Sequence, residues 1–306
     1  MITKLYRKYV SQKTRDKIYE KYLGKILFVK RNFAEVVKMK FHQLFRLFLP
    51  DTEENRRYAF MGRYGLTHLP YPFLLEYINK IVDCQFDKKL ELFFVTHYDK
   101  KLFFPKSFTP KQIIDQYRQL IAEQDPRSPH QYVEDQNRLR GKILLDVGAA
   151  EAMFSLDVIE LVAKVYLFEC EQKWIEPLKA TFAPWKNKVE IIQKYVNDTN
   201  DENNITINNF LEGKEKSNLF IKMDIEGYEQ AALRGATRIF SEAQEIDFSI
   251  TTYHRADDVE KISEFLNHYN IEYEQTGGYF YWWSKGGDKG LRRAIIRRKI
   301  NNLDEK

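Results

Sequence analysis

Cysteine is almost missing from this sequence: of 306 residues, only Cys84 and Cys170 carry a thiol. Two cysteines without pairing or metal-ligand spacing exclude a disulfide framework and a Cys-based zinc site, and favour a reducing compartment. No run of about 18 apolar residues occurs, so no membrane-spanning helix is expected. The start also lacks a secretory pattern, because Lys4, Arg7 and Lys8 lead into polar residues with no clean apolar core behind them. Internal repeats are absent as well. With 43% hydrophobic residues the chain can build a sizeable core, and a cytoplasmic α/β domain with an extension is the simplest expectation.

Positive charge is scarce where a nucleic-acid enzyme would need it. Residues 1–50 hold 13 basic and 3 acidic side chains and residues 285–306 hold 8 and 3, whereas the body between them holds 28 and 38. A cleft in that acidic body suits a polyanion poorly, so no nucleic-acid partner is expected. The basic ends also carry apolar residues: Phe41, Leu44, Phe45, Leu47, Phe48 and Leu49 at one, Leu291, Ile295 and Ile296 at the other. Such segments either make peripheral contact with an anionic membrane or a biosynthetic complex, or lay an apolar helical stripe on the body. Surface helices are common, so packing on the body is the default expectation.

What is present gathers in two clusters. The first reads Ile143-Leu144-Leu145-Asp146-Val147-Gly148-Ala149-Ala150-Glu151-Ala152. Ile143 to Leu145 suits a strand covered on both faces, followed by a turn of small residues and a helix over Phe154–Ala163. Small side chains let a ligand approach backbone N–H groups at a helix start, the nucleotide corner of an open α/β sheet. A dinucleotide fingerprint needs G-x-G-x-x-G, but the three positions hold Gly148, Ala150 and Met153, and Met153 would obstruct a pyrophosphate. The alternation Asp146, Gly148, Ala150, Ala152 instead follows the methyltransferase pattern. The next strand, Val165-Tyr166-Leu167-Phe168, closes on Glu169, 23 residues beyond Asp146. An acid there can accept both hydroxyls of an unphosphorylated ribose, which S-adenosylmethionine and NAD share.

The second cluster is Phe220-Ile221-Lys222-Met223-Asp224-Ile225-Glu226-Gly227-Tyr228-Glu229, followed by Ala232-Leu233-Arg234-Gly235-Ala236. Together the clusters resemble the FkbM family of S-adenosylmethionine-dependent methyltransferases. That family shows a D-V-G-A turn, F-E after the second strand, and K-x-D-x-E-G-x-E followed by L-x-G-A. The resemblance runs from Gln124 to Trp283. The stretch from Glu123 to His130 and the later Tyr253-His254-Arg255 resemble a glycan-associated branch of it. Ala152 stands where Gly is commoner, and Cys170 where Pro usually follows the strand-end acid; both are small enough to tolerate. The resemblance implies a class I methyltransferase fold, S-adenosyl-L-methionine as cofactor, and O-methylation of a sugar hydroxyl on a glycan or glycan precursor.

Periodicity divides the chain into four regions. Residues 1–50 read as a basic helical segment, and 51–141 as an α+β extension able to cap an acceptor site. The latter holds strands over Leu90–Thr96 and Lys101–Phe104. It also holds a helix over Pro110–Ala122 with Thr109 as N-cap and Pro110 at its first position. Residues 142–285 alternate strands and helices: Ile143–Val147, Val165–Glu169, Val189–Gln193, Leu219–Asp224 and Ile246–Thr251. That alternation predicts a doubly wound, mostly parallel Rossmann-like sheet. Glu272–Gln275 and Tyr279–Ser284, joined by Gly277-Gly278, predict a C-terminal antiparallel hairpin. Residues 286–306 form a basic tail.

A sulfonium methyl is already electrophilic, so the protein must align donor and acceptor and manage the acceptor's proton. A sugar hydroxyl is a weak acid and calls for a general base or a metal. Ligands of open sheets sit at the carboxyl ends of the strands, and that edge collects Asp146, Glu169, Asp224, Glu226 and His254. His254, Asp224 and Glu226 are therefore the candidate catalytic residues. Candidate cofactor residues are Asp146, Gly148, Ala149, Ala150 and Phe154 around the first turn, then Glu169 and Cys170 after the second strand. Asp198, after the third strand, is placed as acceptor for the adenine amine, and His130 as a contact for the cofactor carboxylate. Each has a structural alternative: Asp146 can cap its turn, Asp224 and Glu226 can brace Gly227, and the histidines can be satisfied structural groups. Asp224, Glu226 and His254 would also suit a divalent cation, but no spacing requires one and no metal site is assigned.

The acceptor class is narrowed by elimination. Amine methylation of bases uses an N/D-P-P-Y/F motif where this chain reads Asp224-Ile225-Glu226-Gly227, and cytosine methylation needs a Pro-Cys nucleophile that neither cysteine supplies. Two rivals remain: a cofactor-binding partner subunit without catalysis, and an NAD-dependent enzyme acting on nucleotide sugars, for which a Tyr-x-x-x-Lys site is missing.

Overall fold

Side-chain caps and β-branched runs set the element boundaries. The structure, a computed structural model, describes residues 32–242, 246–283 and 289–299. The helical expectation for residues 1–31 lies outside them, as does the end of the tail. The chain divides into two compact units between Pro70 and Tyr71. In the first, helix α1 (Phe33–Leu44) packs on α2 (Glu53–Tyr64), which Thr52 starts by accepting from the Asn55 amide. The helices touch so closely that a Cβ at Gly62 would stand 2.3 Å from the Met39 carbonyl oxygen. Met39 is the buried residue of α1. Contrary to the default expectation, Phe41, Leu44, Phe45, Leu47 and Phe48 stay exposed.

The second unit opens with α3 (Leu74–Ile78), the antiparallel strands β1 (Cys84–Asp87), β2 (Leu92–His97) and β3 (Lys100–Phe103), and α4 (Pro110–Glu123). A capping box fixes the start of α4: Thr109 accepts from the Gln112 amide and Gln112 accepts from that of Thr109. The winding then runs β4 (Ile143–Val147), α5 (Met153–Asp157), β5 (Lys164–Phe168), α6 (Gln172–Thr181) and β6 (Val189–Ile192). It continues through β7 (Tyr195–Val196), β8 (Asn204–Ile205), α7 (Ile207–Phe210), β9 (Leu219–Met223), α8 (Glu229–Arg234), α9 (Thr237–Glu242), β10 (Asp247–Thr251) and α10 (Asp258–His268). Four strands finish the fold: β11 (Tyr273–Gln275), β12 (Phe280–Trp283), β13 (Lys289–Arg292) and β14 (Ile295–Arg298).

The central sheet has seven strands in the order β11-β14-β10-β9-β4-β5-β6. Pairs from β10 to β6 are parallel, and β14 runs antiparallel to both its neighbours. This is the expected doubly wound Rossmann-like sheet. Strands β9 and β10 are buried at every position, as strands covered on both faces must be.

Two local expectations change. The helix after the first turn ends at Asp157 rather than Ala163. Val158 and Ile159, β-branched and fully buried, leave the helix for a turn that packs them inward. A C-terminal antiparallel hairpin is present, but it joins β12 to β13; the segment at 273–275 pairs with β14 instead of with 280–283. Thr276 carries the β11–β14 ladder on by bonding its amide to the Ile295 carbonyl at 3.0 Å. Gly277 lacks the positive φ that a tight two-residue turn would need at both glycines. Ile295 and Ile296, expected on a tail helix, are completely buried in the sheet.

Strand order reverses between β4 and β9, the switch point beyond whose carboxyl ends open α/β sheets bind their ligands. Gly148 leaves β4 with φ +84, and a Cβ on it would lie 1.9 Å from the Asp224 carbonyl oxygen. Replacing Gly148 by Ala is therefore expected to destabilise the protein by about 3 kcal/mol or more, combining left-handed strain with a backbone clash. Gly277, with open space around it, serves as control: Gly277→Ala should leave the chemical-denaturation midpoint nearly unchanged.

Candidate active site

The turn after β4 is held from below by a buried cation. Lys222 on β9 places Nζ 3.0 Å from Asp146 Oδ1 and donates to the Gly148 carbonyl at 2.7 Å. Ser155 donates to the other Asp146 oxygen at 2.6 Å. Asp146 is thus committed to the turn, not open to a ligand. The Gly148 and Ala149 amides donate to the Phe168 carbonyl at 3.1 and 2.9 Å, which stitches the turn to β5. Ala150 and Ala152 adopt φ +46 and +57, a left-handed conformation that explains why Gly is commoner at the latter. Glu169 closes β5, accepting from the Ala150 amide at 2.8 Å and the Glu171 amide at 2.7 Å. Each of its oxygens accepts one N–H and retains a further lone pair.

A second polar group forms where β9 and β10 end. The Asp224 carboxylate accepts from the Tyr132 hydroxyl at 2.7 Å and the Tyr253 hydroxyl at 3.2 Å. His130 Nε2 lies 3.0 Å from the Tyr253 hydroxyl and 3.7 Å from Asp224. His254 Nε2 faces Asp224 at 3.6 Å while its Nδ1 bonds Glu229 at 2.8 Å. Glu229 is fully buried and also accepts from the Ile225 amide at 2.9 Å and the Thr251 hydroxyl at 3.2 Å.

These contacts set the charge states. Burial opposes ionisation of Asp224, but Lys222, His254 and His130 outweigh it and hold its pKa down at about 2. Burial likewise opposes the His254 imidazolium, yet the Glu229 hydrogen bond and the surrounding carboxylates push its pKa up to about 9. His254 is consequently a held proton between two carboxylates at neutral pH. Asp224, Glu229 and His254 offer ligand atoms within 4.8 Å of one another, a spacing a cation would also suit. The imidazolium offsets one of the two carboxylate charges. Two more carboxyls, Glu123 and Glu151, are driven by burial up to about 8 and about 7.

The sequence candidates divide accordingly. Asp224 and His254 come together, and His130 joins them instead of the cofactor turn. Glu226 turns away, its side chain 80% exposed, approaching His254 Nε2 only to 3.9 Å. Backbone φ of +55 at Glu226 and +95 at Gly227 causes this, swinging the chain so that Glu229 enters the site instead. Phe154 is buried edge-on against Tyr132, with ring centroids 5.2 Å apart. Cys170 is half-buried beside Glu169. Asp198 pairs through Oδ2 with Arg234 at 2.8 Å. Sequence reading passed over Lys222, Glu229, Tyr132 and Tyr253 as site residues. The alternating K-x-D-x-E-G-x-E acids were the available signal for the first two.

No protein-family model and no curated protein matches the chain. Solved structures do resemble it. The FkbM methyltransferase from Methylobacillus flagellatus KT shares 16% identity over 60% of this chain and 54% of its own, with a TM-score of 0.40. This chain therefore spans about half the length of that protein. Precorrin-6y C5,15-methyltransferase from Geobacter metallireducens GS-15 shares 12% over 63% and 90%, with a TM-score of 0.38. Trm5b from Pyrococcus abyssi shares 13% over 71% and 62%, with a TM-score of 0.41. These likenesses are distant, and the Rossmann-like assignment stands on this chain's own strand order.

The charge states predict a pH dependence of stability. His254 rises from 6.5 to about 9 on folding, so its contribution is full below 6.5 and lost as pH climbs through about 9. Glu151 and Glu123, raised from 4.5 to about 7 and about 8, also favour the folded state less as pH rises. Melting temperature should fall between pH 6.5 and 9, read by differential scanning fluorimetry. Glu229→Gln should bring the His254 titration, followed by NMR, well below its wild-type midpoint.

Proposed function

We propose that this chain is an S-adenosylmethionine-dependent methyltransferase of the FkbM kind, acting on a hydroxyl of a sugar or glycan precursor. The observation that carries the reading is Glu169. Its carboxylate, fixed by two amides beside a turn of small residues, keeps acceptor capacity for the two hydroxyls of a ribose. A dinucleotide fits less well. Helix α5 has five residues, too few for a strong dipole at its N-terminus, and buried Met153 occupies its first position. The motif resemblance supports the sugar hydroxyl as acceptor.

When bound, the cofactor supplies an electrophilic methyl group. Glu169 and the small-residue turn orient its nucleoside, and Asp224 receives the acceptor hydroxyl in place of the weakly bonded Tyr253. A carboxylate held near pKa 2 is too weak to ionise an alcohol beforehand. As the oxygen gains a methyl group its proton becomes strongly acidic, and Asp224 is then base enough to take it. The His254 imidazolium, oriented by Glu229, keeps Asp224 anionic until that moment.

Calorimetric titration with S-adenosylhomocysteine and with NAD tests the cofactor. Binding of the former alone is expected, weakened about 10- to 100-fold by Glu169→Ala, the worth of hydrogen bonds to a charged group. Preference for NAD, or binding of neither, would sink the reading. Asp224→Asn should lower turnover on a responsive glycan acceptor by about 100-fold or more while leaving S-adenosylhomocysteine affinity within about threefold.

A further inference from the structure

The apolar face of α1 has no use in the methyl-transfer reading. Phe33, Val37, Phe41 and Leu44 recur at helical spacing and are exposed, and the chain leaves the helix through Leu47 and Phe48, 93% and 84% exposed. Phe41 and Phe45 stack on one another at 4.8 Å rather than on a core. An apolar row of this size is costly to leave in water, and on a monomer it marks a contact site. Its surroundings define the partner's charge. Lys38 and Lys40 border the row on α1, the first over the Tyr58 ring at 3.8 Å, the second bonded to the Gly62 carbonyl on α2 at 2.5 Å and to Gln43 at 2.9 Å. Ten more basic residues precede Asn32 in the sequence, and residues 1–50 hold only 3 acidic ones.

We infer that this face docks on an anionic lipid bilayer, lying in the interface plane with the Phe41 side of α1 and the Leu47-Phe48 turn among the acyl chains. Apolar side chains on one helical face, bordered by lysines that keep their charge at headgroup level, are what an interfacial helix needs. The flanking basic residues add attraction that depends on lipid charge and ionic strength. The contact proposed is peripheral, and no helix among the described residues is long and apolar enough to cross a membrane.

Flotation of the full-length protein with vesicles tests this. One set contains equal parts phosphatidylglycerol and phosphatidylcholine, the other phosphatidylcholine alone. The protein should float with the anionic vesicles, much less with the neutral ones, and less at high salt. Phe41→Glu with Phe45→Glu should reduce partitioning about tenfold or more, because each change replaces a large apolar side chain with a charge. Leu47→Glu with Phe48→Glu, outside the helix, should do the same, and circular dichroism checks that both variants remain folded. Three results would overturn the proposal: no flotation with anionic vesicles, unchanged flotation of both folded variants, or equal flotation with neutral vesicles. So would light scattering that shows the same face joining two copies of the chain, disrupted by the variants, in place of vesicle binding.

Discussion

Lys222 is the point on which the site depends. Its ammonium, buried between β4 and β9, joins the Asp146 carboxylate to the Gly148 carbonyl and so ties the two windings of the sheet together where their order reverses. Removing one partner of such a pair leaves the other charged and dehydrated, typically at a cost of about 3–5 kcal/mol. The turn above it has little freedom. Gly148 lies against the Asp224 backbone with no room for a Cβ, and its amide is taken by Phe168. Glu169 and Asp224 are therefore positioned relative to each other by the backbone of the switch point, not by flexible loops.

The same lysine shapes the electrostatics beyond the turn. It is the strongest of the charges holding Asp224 ionised against burial, and it opposes the rise of Glu123 and Glu151. The result is a graded set of carboxyls. Asp224 stays charged, while Glu151 and Glu123 titrate near neutrality because burial dominates there. His254 completes the set as a cation, since Glu229 bonds it directly from a fully buried position. A site of this kind separates a fixed anion from a held proton by less than the width of a substrate, a useful arrangement when a proton must leave late.

Much of the sheet was legible because its strands are covered on both faces. Ile143–Leu145 and Leu219–Ile221 read as apolar runs followed within three residues by the acids Asp146 and Asp224, which mark the edge where ligands bind. The Thr109 capping box was readable for a local reason: both hydrogen bonds lie within four residues. Glu226 shows the limit. Strand alternation places it beside Asp224, but a left-handed turn at Glu226 and Gly227 hands the position to Glu229. The pairing of β11 with β14, rather than with β12, rests on Ile295 and Ile296 filling the sheet, a contact across about twenty residues that no local pattern records.

By itself, then, the sequence determined the five parallel strands of the sheet, where the small-residue turn falls, and which acids close the strands. Apolar period, caps and turn residues act over a few positions and can be read from them. Tertiary structure alone decided which of those acids face one another, that Asp146 and Asp198 are taken by Lys222 and Arg234, and that the stripe on α1 is left in water. Those outcomes depend on burial and on partners far away in the chain, and a side chain's charge state and availability follow from what finally packs against it.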